Sequence, residues 1–214
     1  MRHAKTVIIN CAGVGTRLGY GHTKALLQFA EKPIILHHLE QLKNIEDVRV
    51  VVGYDAQDVI DTVLSFRRDV LFVFNHEYLH TNTLTSLALG AQYANDLIVS
   101  LDGDLIIKPS DLAAFVQQDE ELIGIIKTYT DQPVCVDLTE KKGTQYVTAF
   151  GRKKTAYEWT GLVQIQKDKL THTSGHVYQA LEPHLPIRAI EIDCREIDTP
   201  QDLEKAMAWS KKIF

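Results

Sequence analysis

Val7-Ile8-Ile9-Asn10-Cys11-Ala12-Gly13-Val14-Gly15-Thr16-Arg17-Leu18-Gly19, followed by Thr23-Lys24, is the stretch around which the chain is organised. A β-branched apolar run stops abruptly at small residues. Two glycines flank one residue, a cation follows, and a second cation comes seven residues after it. A buried strand running into a glycine-rich turn lets the backbone approach an anion and point its N–H groups at it. Arg17 and Lys24 would add charge-assisted hydrogen bonds to phosphate oxygens. The spacing Gly13, Gly15, Gly19 is one residue too long for the dinucleotide fingerprint, and no Gly-Lys-Ser/Thr follows. Taken alone, the glycines read equally as a tight strand-to-helix turn with surface cations.

Downstream the strand–turn pattern repeats. Val48–Tyr54 is a second apolar run ending in glycine, Val70–Phe74 a third, and Asp96–Leu101 a fourth. Between them, Pro33–Leu42 and Asp55–Phe66 carry apolar residues at helical spacing, and Leu84, Leu87, Ala88, Ala91 and Ala94 form a further stripe. Pro33 suits a first helical turn. His37 and His38 are adjacent, so they do not share a helix face and are not a metal pair. Strands alternating with helices over short connections predict an α/β fold. The expected architecture is three-layered, Rossmann-like and doubly wound, with a mixed, mostly parallel sheet, in one domain spanning residues 1–214.

The chain has 214 residues, enough for such a domain to bury ~70% of its unfolded surface. A formal charge of −5 argues against a nucleic-acid partner, which asks for a basic face. Three widely spaced cysteines with no C-x-x-C pair argue against structural disulfides and a zinc ribbon. Met1–Lys5 is too short and polar for a signal peptide, and no apolar run reaches about 18 residues. A cytoplasmic protein without a membrane partner is expected, as a monomer or small homo-oligomer.

Two regions carry candidate chemistry beyond the first turn. Ligands of α/β sheets bind beyond the carboxyl ends of the strands. Asp102-Gly103-Asp104 ends the fourth strand there, and the helix that Pro109 opens starts too late for either acid to be its obvious cap. Hard oxygen ligands at that place suit Mg²⁺ shared with substrate phosphates. Asn82 is either an N-cap or part of the crevice wall. Pro109–Glu120 is expected to be helical. Leu122–Lys127, Val134–Leu138 and Thr144–Phe150 read as short successive strands, a small antiparallel lobe on the acceptor side. Tyr157-Glu158-Trp159 reads either as a cage for a cationic head group or as ordinary core and rim. Ile187–Ile192 is a last strand. Thr199 caps a final helix with Pro200 at its first position and Leu203, Ala206, Met207 and Ile213 inward.

These stretches together resemble the nucleotidyltransferase family that makes activated sugars and alcohols from an NTP and a phosphorylated acceptor. The carriers are Ala12-Gly13-Val14-Gly15-Thr16-Arg17-Leu18, Thr23-Lys24, Lys32-Pro33, the D-G-D strand end and Glu196-Ile197-Asp198-Thr199-Pro200. The chain departs from the family only at Asn10-Cys11, where Leu-Ala is usual. The resemblance implies a triphosphate wrapped by Ala12, Gly13, Gly15 and Thr16, with Arg17 and Lys24 as catalytic cations. It implies Mg²⁺ on Asp104 and Asp198, with Asp102 and Glu196 as the further candidates. The stretch Asn75-x-x-Tyr78-x-x-Thr81-Asn82-Thr83-x-x-Ser86-Leu87 resembles the small choline-phosphate-type cytidylyltransferases. That likeness implies CTP, with Asn82, Ser86 and Asp102 on the nucleotide. It also implies a small phosphorylated alcohol, amine or phosphonate held by Tyr157, Glu158, Trp159 and Glu196. A sugar-1-phosphate nucleotidyltransferase using UTP, dTTP or GTP is the nearest alternative. A regulatory pseudoenzyme has no need of Arg17, Lys24, Asp104 and Asp198 together, and a glycosyltransferase lacks the Gly-Thr-Arg loop.

Overall fold

The computed structural model describes residues 4–171, 173–211 and 213, so Met1–His3 of the amino-terminal stretch read above lie outside it. In chain order the elements are β1 (Lys5–Cys11), a short hairpin of β2 (Gln28–Phe29) and β3 (Lys32–Pro33), α1 (Ile34–Gln41), β4 (Asp47–Val52), α2 (Ala56–Phe66), β5 (Val70–Phe74) and α3 (Thr83–Gly90). There follow β6 (Leu97–Asp102), β7 (Leu105–Ile107), α4 (Pro109–Val116), β8 (Leu122–Lys127), β9 (Cys135–Lys141), β10 (Thr144–Gly151) and β11 (Tyr157–Gln166). The chain closes with α5 (Val177–Leu181), β12 (Ile187–Glu191), β13 (Cys194–Glu196) and α6 (Pro200–Ser210).

The expected β-α-β-α-β run forms. Strand β1 lies parallel to both β4 and β6, and β5 continues the sheet outside β4. Because side chains alternate along a strand, β1 feeds two cores at once. Val7, Ile9 and Cys11 pack with Ile35 and Leu39 of α1, Val59 and Val63 of α2, and Leu112 and Phe115 of α4. Ile8 and Ala12 pack with Leu84 and Leu87 of α3 on the other face, where Val177 and Leu181 of α5 also sit. The buried strands are apolar on both faces because helices cover both.

The second half of the sheet corrects the expected parallel majority. The order is β5-β4-β1-β6-β11-β8-β12-β10-β9, and five of its nine pairings are antiparallel. One hairpin lies here: β9 and β10 join through Lys142 and Gly143, both at positive φ, as a two-residue hairpin turn requires. The antiparallel strands do not form a detached lobe. The start of β11 also pairs with β9, at Tyr157↔Val136 and Glu158↔Cys135, so β11, β8, β12, β10 and β9 close into a ring.

Helix α4 stops at Val116 rather than Glu120. Its end is claimed by other groups: Lys5 Nζ donates to the carbonyls of Val116 and Gln118, and Gln164 Nε2 donates to those of Gln118 and Glu120. The C-terminal helix is capped as expected, with Asp202 N donating to Thr199 Oγ1 and Thr199 N donating to Asp202 Oδ2. Ala206 and Trp209 of α6 are buried against Leu18, Phe29, Ile34, Ile106 and Ile197, whereas Met207 is 40% exposed. The helix turns Trp209 inward in place of Met207. Cys11, Cys135 and Cys194 are free and buried. Among the described residues no helix is long and apolar enough to cross a membrane.

Candidate active site

Strand β1 ends at Cys11, and the loop behind it is shaped by one glycine. Gly15 has φ +66°, and a Cβ there would lie 2.8 Å from Lys24 Cγ. Only glycine permits both the left-handed turn and the passage of the lysine stem beneath it. The start of the Lys24 turn is pinned from two sides. Thr23 Oγ1 donates to the Cys11 carbonyl at 3.2 Å and Thr23 N donates to Asp55 Oδ2 at 2.9 Å. Lys24 is thereby a buried cation with its stem under the loop.

The acids arrive from two distant segments. Parallel register sets Asn10 beside Asp102, and Gly103 N donates to the Asn10 carbonyl at 2.9 Å. A Cβ at Gly103 would approach Cys11 Sγ to 2.7 Å, so the D-G-D turn packs directly on the end of β1. The strand β13 then pairs antiparallel with β7, with Glu196 opposite Leu105, and Ile197 N donates to the Asp104 carbonyl at 3.2 Å. This short pairing delivers Glu196 and Asp198 to Asp104. Lys24 Nζ lies 2.8 Å from Asp104 Oδ2 and also binds Asp198 Oδ1, while Arg17 Nη2 donates to Asp198 Oδ1 at 2.9 Å.

Charge is concentrated here. Burial pulls the Lys24 pKa down, but Asp104 and Asp198 outweigh it and hold the ammonium protonated well beyond its ordinary range. Burial, then the charge of Asp104, pushes Asp102 up to about 7. The surrounding protein, then Asp104, Asp198 and Asp102, push Glu196 up to about 8. Glu196 is exposed, and three carboxylates crowd it with negative charge. Asp104, Glu196 and Asp198 each offer an oxygen, all within 4.8 Å of one another. Four carboxyl groups face two cations, and this hard-oxygen set fits a Mg²⁺ ion.

These groups line one cleft of about 370 Å³. Ala12, Gly13, Gly15, Thr16, Arg17, Lys24, Asp102, Asp104, Glu196 and Asp198 all reach it, and Asn82 and Ser86 form part of the opposite wall. Asn82 stands at the N-cap position of α3, yet its side chain makes no capping hydrogen bond. The Tyr157-Glu158-Trp159 group does not reach this lining. Strand alternation puts Glu158 on the face opposite Tyr157 and Trp159. Glu158 is buried and accepts from Thr130 Oγ1 at 2.7 Å and from the backbone N–H groups of Tyr129 and Thr130. Trp159 packs edge-on against Phe150 and Tyr178, and its Nε1 donates to the Leu162 carbonyl. The cage is therefore replaced by a turn anchor and an aromatic core.

Several lining residues were not read as site residues from the sequence, among them Asn75 and His176. Asn75 carried a usable signal, a lone amide at a strand end. His176 precedes a five-residue helix far along the chain and carried none.

Comparison with known proteins follows the same lines. The profile of the MobA-like NTP transferase domain matches residues 7–169. A choline-phosphate cytidylyltransferase from Streptococcus pneumoniae (strain ATCC BAA-255 / R6) is 36% identical over 104 residues, covering 46% of this chain and 44% of that protein. A bifunctional protein GlmU from Neisseria meningitidis serogroup C (strain 053442) is 28% identical over 153 residues, covering 70% of this chain and 33% of that protein. The chain thus spans less than half the length of each of these two relatives. Among solved structures, the CTP:phosphocholine cytidylyltransferase LicC from Streptococcus pneumoniae superposes with TM-score 0.78 at 21% identity, over 98% of this chain and 100% of that one. The inositol-1-phosphate CTP transferase from T. maritima gives 0.78 at 20% identity, over 100% and 97%. At that identity the two structures speak for the α/β nucleotidyltransferase fold.

Proposed function

The chain belongs to the MobA-like NTP transferase family, and from that premise we propose that it transfers CMP from CTP to a small phosphorylated acceptor, releasing pyrophosphate. Phosphocholine or an aminoalkyl phosphonate is the acceptor class. The observation that carries this reading is the meeting of Arg17, Lys24, Asp104 and Asp198 at one cleft, from segments up to 181 residues apart. Support for CTP comes from the pneumococcal cytidylyltransferase relative.

The chemistry asks little beyond charge and alignment. An acceptor phosphate oxygen attacks the α-phosphorus in line. A new P–O bond forms, the bond to the bridging oxygen breaks, and pyrophosphate leaves with that electron pair. An anion attacking a polyanion needs neutralisation and positioning more than a general base. The backbone from Ala12 to Thr16 would wrap the triphosphate, with Arg17 at its open side and the permanently charged Lys24 beneath. Asn82 and Ser86 would meet the base, and Asp102 the sugar side. Asp104, Glu196 and Asp198 would hold Mg²⁺, which supplies further charge neutralisation when bound.

A second reading is sugar-1-phosphate transfer with UTP, dTTP or GTP, and the GlmU relatives favour it. A pyrophosphate-release screen separates the two: four NTPs against phosphocholine, phosphoethanolamine, aminoethylphosphonate and several sugar-1-phosphates. Release with CTP and a small phosphorylated alcohol or amine is expected. Turnover confined to a sugar-1-phosphate with another NTP would replace this reading with the second.

A further inference from the structure

The three acids that converge at the cleft are not held alike. Asp104 and Asp198 are tied through their carboxylates to Lys24 and Arg17. Among the described residues none gives the Glu196 carboxylate a hydrogen bond or an ion pair, so its place rests on the backbone of β13. That strand has three residues and one neighbour. Lys108 N donates to the Asp193 carbonyl at 2.9 Å and Ile197 N to the Asp104 carbonyl at 3.2 Å. By alternation the Glu196 N–H points away from β7, to the free edge of the strand. There it donates to Tyr129 Oη at 3.1 Å. The phenol stands in for a missing strand and satisfies a donor that would otherwise lack a protein partner. Its ring also faces Arg195, whose guanidinium carbon lies 5.2 Å from the Tyr129 centroid and 4.8 Å from that of Trp209 in α6. The turn that presents Tyr129 is itself anchored: Thr128 N donates to the Ala156 carbonyl at 3.0 Å, and Thr130 Oγ1 donates to buried Glu158 at 2.7 Å.

We infer that Tyr129 is a positioning residue: by holding the Glu196 N–H it sets where the Glu196 carboxylate stands relative to Asp104 and Asp198. This deepens, and rests on, the Mg²⁺ reading above. Mg²⁺ demands near-ideal geometry of its oxygen ligands. Groups that hold ligands in place, without touching the ion, carry a large share of metal affinity. Without the hydroxyl the outer edge of β13 is free to shift at Glu196. Ile197 N, bonded on the other edge, still keeps Asp198 beside Asp104. The loss therefore falls on Glu196. Tyr129 is not part of the cleft lining, so it acts through the strand rather than on a ligand. Glu158, expected to hold an acceptor, instead steadies the Tyr129 turn through Thr130 and the backbone N–H groups.

The test is binding of Mg²⁺ alone, measured by calorimetry on the wild-type chain, Tyr129→Phe, Glu196→Gln and the double variant, with Tm recorded for each. Tyr129→Phe keeps the ring on Arg195 and removes only the oxygen. It is expected to weaken Mg²⁺ binding about tenfold. In the Glu196→Gln background the same change should cost less than about twofold, because two substitutions acting through one ligand do not add. A merely structural Tyr129 would lower Tm and leave the Mg²⁺ affinity where it was. That result overturns the inference, and so does an equal loss of affinity in both backgrounds. If Tyr129→Phe does not fold, Thr130→Val, which frees the turn from Glu158, decides: weakened Mg²⁺ binding supports the inference and an unmoved affinity overturns it. A Glu196→Gln variant that binds Mg²⁺ as wild type does, or a wild type that binds none, overturns the Mg²⁺ reading at Glu196 instead.

Discussion

Replacing Lys24 by Met keeps the aliphatic stem beneath Gly15 and removes only the ammonium. Two carboxylates lose their shared partner: Asp104 at 2.8 Å, and Asp198, which keeps only Arg17. Removing one member of a buried pair costs about 3–5 kcal/mol. Here the Asp104 and Asp198 side chains stay 20% and 22% exposed, so water screens part of the repulsion. About 2 kcal/mol is a fair figure for the metal-free protein. In a chain of this size that lowers Tm by about 4–8 °C. Mg²⁺ bound to Asp104, Glu196 and Asp198 would take over the neutralisation, so saturating Mg²⁺ should shrink the deficit. Turnover should nevertheless fall about 10³-fold, because a fixed positive charge on the triphosphate is gone. Thermal denaturation with and without Mg²⁺, paired with pyrophosphate release, checks both halves. An equal Tm deficit in both conditions, together with a turnover within about threefold of wild type, would refute the reasoning.

Other expectations concern the scaffold. His38 is fully buried, and burial, against the pull of its hydrogen bond to the Leu105 carbonyl, lowers its pKa from 6.5 to about 4. The folded state therefore resists a proton that the unfolded state accepts. Stability is intact above pH 6.5 and falls by about 3 kcal/mol as the pH drops toward 4; urea titrations of His38→Gln should show a shallower acid slope than wild type, and equal slopes would exclude this role. Gly103→Ala pushes a methyl to 2.7 Å from Cys11 Sγ and 3.1 Å from the Asn10 carbonyl. It should destabilise by about 1–3 kcal/mol and misplace Asp104, and adding Cys11→Ala should restore part of the Tm. Glu158→Gln should cost about 1–3 kcal/mol through its bonds to Thr130, with the KM for the acceptor unchanged; a raised acceptor KM at unchanged Tm would return Glu158 to the cleft.

The half of the fold made of alternating strands and helices was legible because each element has its own period. Val7–Cys11, Val48–Val52 and Leu97–Asp102 bury apolar side chains on both faces, and only a sheet covered on both sides asks for that. The antiparallel half was less legible. Strands β8 to β12 show what kind of element they are but not their neighbours, since register and closure depend on contacts far along the chain, such as Glu158 against Cys135. The site divides in the same way. Arg17, Lys24, Asp104 and Asp198 stand beside glycines and strand ends, which local rules can find. Tyr157-Glu158-Trp159 looked like a cage because three suggestive side chains are adjacent in sequence, but adjacency on a strand sends them to opposite faces. Asn75 stands at a strand end, which local rules can find, but its hydrogen bonds to hydroxyls six and eleven residues away appear only in the folded chain.

The pairing of β13 with β7 has a consequence for how the protein is made. Arg17 and Lys24 leave the ribosome well before Glu196 and Asp198, and Arg17 precedes its partner Asp198 by 181 residues. A growing chain can therefore fold its first sheet and cores while its phosphate-facing cations still lack their carboxylate partners. The acid cluster is completed last, when the three-residue strand β13 pairs with β7, so a chain cut short of Glu196 lacks two of the four carboxyl groups at the cleft.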